Sequence, residues 1–495
     1  MPTINMSSLH ASLGYSHISL NSQLAISKSQ LNEIKSSQFR THRQAIDERI
    51  DQFAQMLLSP WKLSLRLLAS VIQPAPGADK ERGMLNAVRR ASCLAGAFLS
   101  LPFALVSLTM GLPLHVYSHV RRPSLSFIDF SHLSQAQPSS NQNELHIRTH
   151  NLGFVYEFFG IVGDLRPVKE RAHEVAQHLL NDPHQPDMIC FQEAFHIDGT
   201  RLLCEEIKRV YPYMIHSVAP HGLGLNNGCI IASKYPIKHF SVRLFKNLIG
   251  PEGWSPRGLL RATIEKDGKE IAVYSAHLQA LLGKERAAAR VEQAKHIVRW
   301  IKEDRARDPF IPQILVGDFN ASKITAWGEI NPTEAAFFEE MEKHFTDVFA
   351  LDHDELGNRT AGSPRFLESD EARMIRPATG IPRAEPAGSW YVGPFAKKNL
   401  VLRLKSAWEA FWNGSSDYVP HPAIQKEESV LWGTRKWASG PQTANTARFD
   451  GAWVPKDQLG QEGDINSARA EIRRVVTDRQ SAPTDHLPMD VVVAL

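Results

Sequence analysis

The chain has 495 residues and 43% of them are hydrophobic, a composition that fits a globular protein with a large core and excludes a wholly disordered chain. Lys and Arg number 56 against 53 Asp and Glu, so the net charge gives no support for a nucleic-acid-binding protein. The four cysteines form neither a disulfide framework nor a CxxC metal motif. Their scarcity predicts a reducing compartment for the folded domain.

Residues 1–41 are polar and rich in serine, and they lack the continuous apolar core of a secretory signal peptide. We expect a disordered arm there. From residue 42 onward, Ile46, Ile50 and Phe53 recur at helical spacing and predict an amphipathic helix. Residues 42–123 are therefore predicted to form a helical, membrane-associating region, and residues 124–143 a linker to the domain that follows.

A long uncharged run lies between two arginine pairs, at residues 89–90 and 121–122. About twenty apolar residues are enough to cross a bilayer, so the length of the run permits a membrane span. Pro102 and Pro113 break or kink helices, and basic residues on both flanks give no inside-outside asymmetry. We therefore predict a re-entrant or hairpin insertion over residues 91–120, with both basic flanks at one anionic phospholipid surface. A buried core helix is the alternative.

From Leu145 the chain alternates short apolar runs with helical stretches, as a layered α/β domain does. The apolar runs end in polar residues, and strand ends are where such domains build their sites. Taken alone, each of these residues is more often a helix cap or a satisfied structural group. Together they form a set of amides, carboxylates and histidines: Asn151, Gln192, Glu193, His277, Asp318, Asn320, Asp450, Asp485 and His486.

The set fits an anionic substrate and a hard divalent cation. Mg²⁺ takes oxygen ligands and keeps several waters, so Glu193 and the side-chain carbonyl of Asn151 are predicted metal ligands. Mn²⁺ would accept the same oxygen donors. His486 is a candidate general base for water, with the neighbouring carboxylate of Asp485 orienting its ring.

Three further residues are assigned by what the hydrolysis of a phosphate ester needs. Asp318 and Asn320 are predicted to orient the nucleophile and the bridging oxygens, and His277 to donate to a nonbridging oxygen as charge develops. No serine or cysteine nucleophile is recognisable in the set, so direct attack by water is predicted.

The order of Asn151, "QE", "H", "GDFN" and "DH" resembles the endonuclease/exonuclease/phosphatase superfamily over residues 145–495. The resemblance implies a two-sheet α/β sandwich that cleaves phosphate esters with Mg²⁺, and it adds Asp450 to the catalytic residues. Gly451 follows Asp450 here, where the nucleases of that superfamily usually have an aromatic residue.

Within that superfamily, "LNNGCIIASKYPI", "WSPRGLLRATI", "TDHLP" and the spacing of Arg290 and Gln293 resemble the neutral sphingomyelinases. The hydrophobic segment with "SLPFA" and a trailing "RRP" is similar to that of their membrane-anchored members. The resemblance implies Mg²⁺-dependent hydrolysis of sphingomyelin to ceramide and phosphocholine at a membrane. It also implies a regulatory pair, because Glu252 and Arg257 stand where that family has an acidic and a basic residue implicated in switching. An ordinary surface ion pair is the alternative.

Residues 351–445 form an insert that the superfamily core does not require, and they hold five of the ten tryptophans. In "FAKKNLVLRLKSAWEAFW", apolar residues at helical spacing are accompanied by Lys and Arg, which predicts a basic amphipathic helix. Trp408 and Trp412 are therefore candidate membrane contacts. A helix packed on the sandwich, with both tryptophans buried, is the alternative.

Two other functions stay open at this point. A phosphatase or nuclease of the same fold would act on inositol phosphates, phosphoinositides or nucleic acid, although no basic stripe favours nucleic acid. A noncatalytic membrane scaffold would be expected to have lost site residues, and none of the expected ones is missing from the chain.

Overall fold

The computed structural model of the chain describes residues 23–26, 50, 53–54, 56–72, 83–120, 126–135, 143–155, 167–216, 226–280, 284–323, 331–352, 450–460, 464–473, 486 and 488–495. Within these ranges, two seven-stranded sheets lie face to face around a shared apolar core. Helices pack on the outer surface of each sheet. The predicted two-sheet α/β sandwich is therefore confirmed.

In spatial order, the first sheet contains β1 (Gln23–Ile26), β7 (Ile237–Leu244), β8 (Gly258–Lys266), β9 (Lys269–His277), β10 (Gln313–Asp318), β12 (Asp450–Pro455) and β11 (Phe345–Asp347). The second contains β13 (Ser467–Ile472), β14 (Met489–Ala494), β3 (Glu144–Asn151), β4 (Met188–Gln192), β6 (Ile230–Ser233), β5 (Tyr213–His216) and β2 (Ser126–Asp129). The α-helices are α1 (Ser59–Ile72), α2 (Gly83–Val120), α3 (Val168–Asn181), α4 (Ile197–Ile207), α5 (Lys284–Arg307), α6 (Ala335–Glu342) and α7 (Phe349–Asp352). Both sheets are mixed, because β3 is parallel to β4 and β9 is parallel to β10.

The core between the sheets follows from the two-residue period of the strands. In β3, Leu145 and Ile147 are fully buried and face the first sheet, where they join residues such as Val273 and Val316 in one cluster. The other face of each sheet is covered by helices. α5 and α6 pack on the first sheet, and α3 and α4 pack on the second.

A charged contact joins the two sheets at the end of the sandwich where β3 and β4 begin. Nζ of Lys266, the last residue of β8, lies 2.8 Å from Oδ2 of Asp187 and also donates to the carbonyl of Glu144. Both Lys266 and Asp187 are 1% exposed. Pairing and hydrogen bonding offset the cost of burying these charges. Removal of either partner would leave an uncompensated charge in the interior.

α1 and α2 form an antiparallel hairpin with small residues at its interface. A Cβ atom added to Gly96 would lie 3.3 Å from Leu67, and one added to Gly111 would lie 2.7 Å from Leu58. The absence of a side chain at these glycines lets the helices approach closely. Larger apolar side chains of α2 lie on the opposite side, and Leu99 is 77% exposed. The hairpin therefore presents an apolar outer surface.

α2 is one continuous helix, although it contains Pro102 and Pro113. The predicted re-entrant turn within residues 91–120 is therefore wrong, and the chain reverses between α1 and α2 instead. A proline inside a helix costs about 3 kcal/mol because it removes a backbone hydrogen bond. α1 packs against α2 near Pro102, where Oγ of Ser64 lies 2.7 Å from Oγ of Ser100.

Two short strands lie in segments for which the sequence predicts no regular structure. β1 falls within the predicted arm and pairs with β7, whereas β2 falls within the predicted linker and pairs with β5. Both strands add to a sheet edge, and an edge offers unpaired backbone groups to any neighbouring segment. Trp408 and Trp412 lie outside the described residues, as does the predicted insert beyond Asp352.

Candidate active site

Strands from both sheets deliver the predicted site residues to one end of the sandwich. The parallel strands β3 and β4 end side by side, with Asn151 opposite Gln192. β9 and β10 are also parallel, and their last residues, His277 and Asp318, are partners in the ladder. The antiparallel strand β12 begins at Asp450, directly opposite Asp318. In β3, β4, β9 and β10, an apolar run that ends in a polar residue therefore brings that residue to this end of the sandwich.

Glu193, His277 and Asp318 form a compact cluster, in which one ligand atom from each residue lies within 4.8 Å of the others. Nε2 of His277 is 3.6 Å from Oε1 of Glu193 and 3.8 Å from Oδ2 of Asp318. His277 and Asp318 are fully buried, whereas Glu193 is partly exposed. Two carboxylates and an imidazole are a donor set that suits a divalent cation. The residues present therefore fit a metal ion at this position.

Asn151 and Asn320 hold the carboxylate of Asp318 from two sides. Nδ2 of Asn151 donates to Oδ2 of Asp318 at 2.8 Å, while Oδ1 of Asn151 accepts from the backbone N of Gly153 at 2.9 Å. The backbone N of Asn320 donates to the other carboxylate oxygen of Asp318 at 2.8 Å. Since an amide oxygen has two lone pairs, the bond from Gly153 is compatible with the predicted role of Asn151 as a metal ligand.

The backbone at two of these residues adopts the left-handed region. φ is 55° at Glu193 and 51° at Asn320, and the other non-glycine residue with a positive φ in the described ranges is Asp267, in the turn between β8 and β9. Such conformations are uncommon for residues with a side chain, and they persist where surrounding contacts fix them. At the site they turn the chain sharply after β4 and β10.

His486 contacts the carboxylate of Asp450, a partner that adjacency in the sequence does not predict. Nδ1 of His486 lies 2.7 Å from Oδ2 of Asp450, and both side chains are buried. Asp485, the predicted orienting residue, lies outside the described residues. Asp450 begins β12 of the first sheet and His486 precedes β14 of the second, so their contact joins the two sheets and is not revealed by adjacency in the sequence. A Cβ atom at Gly451 would lie 3.1 Å from the ring of Phe319, which accounts for glycine after Asp450.

Burial controls the charge of the central groups. Burial raises the pKa of Asp318 to about 7, the imidazole of His486 opposes this shift, and the carboxylates of Asp450 and Glu193 add to it. Burial holds the pKa of His277 well below its ordinary value, and the positive charge of Arg257 acts in the same direction. His277 is therefore a neutral imidazole at neutral pH. A carboxylate cluster with a raised proton affinity is one that gains from a bound cation.

Glu252 and Arg257 form a buried pair next to the cluster. Nη2 of Arg257 lies 3.3 Å from Oε1 of Glu252, and the two residues are 5% and 7% exposed. Nη1 of Arg257 contacts the ring of His277, and the guanidinium lies 5.4 Å from the centroid of the Phe195 ring. The alternative of an ordinary surface ion pair is therefore wrong. A regulatory role for the pair stays a prediction.

A polar network that the sequence analysis did not assign holds the loop after β9. The backbone N of Gln279 donates to Oε1 of Gln293 at 2.9 Å, and Oε1 of Gln279 accepts from the backbone N of Ile249 at 2.9 Å. Arg290 is fully buried, donates to the carbonyl of Gln279 at 2.8 Å and pairs with Glu334. Arg290 and Gln293 are three residues apart and therefore share one face of their helix. This spacing was the signal in the sequence that could have predicted the network.

Residues 149–340 match the model of the endonuclease/exonuclease/phosphatase family. This part of the chain is similar to that family. The match contains the predicted residues from Asn151 to Asn320, whereas Asp450 and His486 lie beyond it. The resemblance inferred from the motif order is confirmed.

Two curated relatives are sphingomyelinases by name. Sphingomyelin phosphodiesterase 5 of Danio rerio is 27% identical over 243 residues, which cover 41% of this chain and 44% of that protein. Sphingomyelinase C of Bacillus cereus is 28% identical over 234 residues, which cover 42% of this chain and 66% of that protein. The chain thus matches less than half of the length of the first relative.

Among solved structures, beta toxin from Staphylococcus aureus aligns with a TM-score of 0.44 and 17% identity. The alignment covers 70% of this chain and 99% of that chain.

Proposed function

We propose that the chain is a divalent-metal-dependent phosphodiesterase that hydrolyses sphingomyelin to ceramide and phosphocholine at a membrane. One observation carries the proposal. The Glu193, His277 and Asp318 cluster lies at the same end of the sandwich as the His486 and Asp450 pair. The similarity to sphingomyelinases supports the choice of substrate.

The metal would be held by Glu193 and Asp318, with the amide oxygen of Asn151 adding a further ligand. A bound divalent cation would neutralise phosphoryl charge and fix the orientation of the phosphoryl oxygens. Two carboxylates and an amide oxygen favour Mg²⁺, and Mn²⁺ would accept the same oxygen donors.

His486 is the proposed general base. When Nδ1 of His486 donates to Asp450, the lone pair lies on Nε2, which takes the proton from the attacking water. The carboxylate of Asp450 then stabilises the imidazolium that forms. Asp318 is held by Asn151 and orients the reacting oxygens, and His277 donates to a nonbridging oxygen.

The hairpin of α1 and α2 is the proposed membrane contact. Residues Val88–Tyr117 of α2 are long and apolar enough to cross a bilayer, and 17% of that stretch is buried. Phe98, Leu99 and Phe103 are each more than two-thirds exposed in the absence of lipid. Burial of an aromatic or leucine side chain contributes about 1.5 to 3 kcal/mol, so several such residues would hold the protein on a membrane.

Release of phosphocholine from sphingomyelin vesicles tests the proposal, run beside a nuclease assay and an inositol-phosphate assay with and without Mg²⁺. We expect the protein to hydrolyse sphingomyelin but not nucleic acid or inositol phosphates. A chelator should abolish the hydrolysis of sphingomyelin. Glu193→Gln should raise the Mg²⁺ concentration needed for half-maximal activity. Glu205→Gln is a matched control, because Glu205 is an exposed residue of α4 paired with Lys208.

If the protein hydrolyses nucleic acid or inositol phosphates and not sphingomyelin, the proposed substrate is wrong. The proposed metal site would be unaffected by that result. Full activity of Glu193→Gln at limiting Mg²⁺ would contradict the metal site itself. An absence of turnover on every phosphate ester would favour the noncatalytic scaffold.

A further inference from the structure

His150 lies on the other face of β3 from the cluster. Side chains alternate along a strand, so His150 points away from the side that carries Asn151 and toward the helical layer outside the second sheet. It is 4% exposed. From the sequence alone, such a histidine next to a site residue reads as a structural group.

The structure gives His150 a specific partner. Nε2 of His150 lies 3.1 Å from the backbone carbonyl oxygen of His486. A carbonyl oxygen only accepts, so Nε2 carries the hydrogen and donates.

We propose that His150 is a positioning residue for the general base, with its Nε2–H fixing the backbone of His486 beside Asp450. This inference rests on the proposed role of His486. His486 is then held at two points, its ring nitrogen Nδ1 by Asp450 and its carbonyl by His150. Two such contacts define both the place and the direction of the imidazole.

The consequence of losing the contact is a displaced base rather than a lost chemical group. Displacement of a reacting group by about 1 Å costs on the order of a hundredfold in rate. The carbonyl of His486 would also lose its buried donor, which favours movement of that backbone toward water. Nε2 of His150 contacts the backbone of His486, and the two imidazoles also interact electrostatically, so a variant that keeps a donor without the ring separates the two effects.

Two substitutions at His150 separate the hydrogen bond from packing. His150→Leu fills the space and removes the donor. His150→Gln keeps an N–H group at a similar reach. His178→Leu is a matched control, because His178 is a partly buried imidazole on α3 that acts electrostatically on His150. Each protein is assayed on a soluble phosphodiester at saturating Mg²⁺ and is checked for folding by thermal melting.

We expect His150→Leu to lower kcat by about tenfold to a hundredfold with KM nearly unchanged. His150→Gln should recover most of that loss, and His178→Leu should keep the wild-type kcat even where its melting temperature falls. Wild-type kcat in a folded His150→Leu protein would overturn the proposal. An equal loss of kcat in His150→Leu, His150→Gln and His178→Leu would also overturn the proposal, because packing would then account for the effect.

A spectroscopic readout separates this inference from the proposed function. The imidazole ¹⁵N and ¹H signals of His486, assigned with His486→Gln, report the bond to Asp450 in the absence of substrate. His150→Leu should shift or broaden these signals, and His150→Gln should restore them. If they respond in this way while the wild-type protein cleaves no phosphate ester, the proposed function fails and the positioning contact stands. Unchanged signals in His150→Leu would refute the positioning role.

Discussion

Asp450→Asn compared with Asp485→Asn distinguishes the partner seen in the structure from the partner expected from sequence adjacency. Asparagine keeps the size of Asp450 and an oxygen that accepts from Nδ1 of His486, which is 2.7 Å away. What the substitution removes is the negative charge beside the imidazolium that forms in the reaction. The ring geometry should therefore survive while the electrostatic contribution is lost.

The size of the loss follows from distance and burial. Opposite charges about 4 Å apart attract by about 4 kcal/mol at an effective dielectric constant near 20, which suits a buried pair with some relaxation. If half to three quarters of that energy is realised in the transition state, the barrier rises by roughly 2 to 3 kcal/mol. Each 1.36 kcal/mol is tenfold in rate, so kcat of Asp450→Asn should fall by about thirtyfold to more than a hundredfold.

The assay is initial-rate hydrolysis of a soluble phosphodiester at saturating Mg²⁺, with circular dichroism and thermal melting to verify folding. Asp485→Asn is the paired control. Its kcat should stay within about threefold of the wild-type value, a difference of less than about 1 kcal/mol in activation free energy. A larger loss in Asp485→Asn than in Asp450→Asn would refute the assignment of Asp450 as the orienting carboxylate. So would an Asp450→Asn protein with nearly wild-type kcat.

Three further substitutions test other parts of the structure. Gly317→Ala should lower both the melting temperature and the activity. φ is 144° at Gly317, and a Cβ atom there would lie 2.7 Å from N of Ala276 and closer still to its oxygen. An active Gly317→Ala protein of normal stability would contradict this packing. Burial opposes ionisation of Asp490. Hydrogen bonds from Arg148 and His146 nevertheless hold the pKa of Asp490 below its ordinary value. The ionised carboxylate of Asp490 therefore stabilises the fold above about pH 4, and this contribution is lost as pH falls through its folded-state pKa. Asp490→Asn should make the free energy of unfolding less dependent on pH in acid. An unchanged pH dependence would show that Asp490 does not contribute to it. Gly111→Leu should wedge the helical hairpin apart and weaken vesicle binding while hydrolysis of a soluble ester is kept; unaltered binding would remove the hairpin from the membrane contact.

The residues at the ends of β3, β4, β9 and β10 could be predicted from the sequence because two local signals coincide. Apolar runs with a two-residue period define the strands, and an abrupt polar residue marks each end. Asn151, His277 and Asp318 all carry this pattern, and parallel strands bring such ends together. The resemblance to a known family added the order of the motifs, which no single strand contains.

The remaining features depend on contacts between segments that are distant in the sequence. Asp450 and His486 are 36 residues apart and meet because β12 of the first sheet and the segment before β14 of the second reach the same end of the sandwich. Pro102 predicts a break in a helix by local rules, but α2 continues through it and packs against α1 nearby. The strands β1 and β2 are short and lack a strong periodic signal, so the sheet edges they join determine their conformation.

The contact between Lys266 and Asp187 makes the two ends of the sandwich unequal in their dynamics. At that end a buried ion pair and the carbonyl of Glu144 connect one sheet to the other, so the layers separate there only when charges lose their partners. At the opposite end, a hydrogen bond from the neutral amide of Asn151 to Asp318 joins the sheets. Backbone amides near Asp187 should exchange their hydrogen with deuterium only through global unfolding, whereas those near Asn151 should also exchange through local opening. The far end should therefore keep its strand register when the site end opens locally.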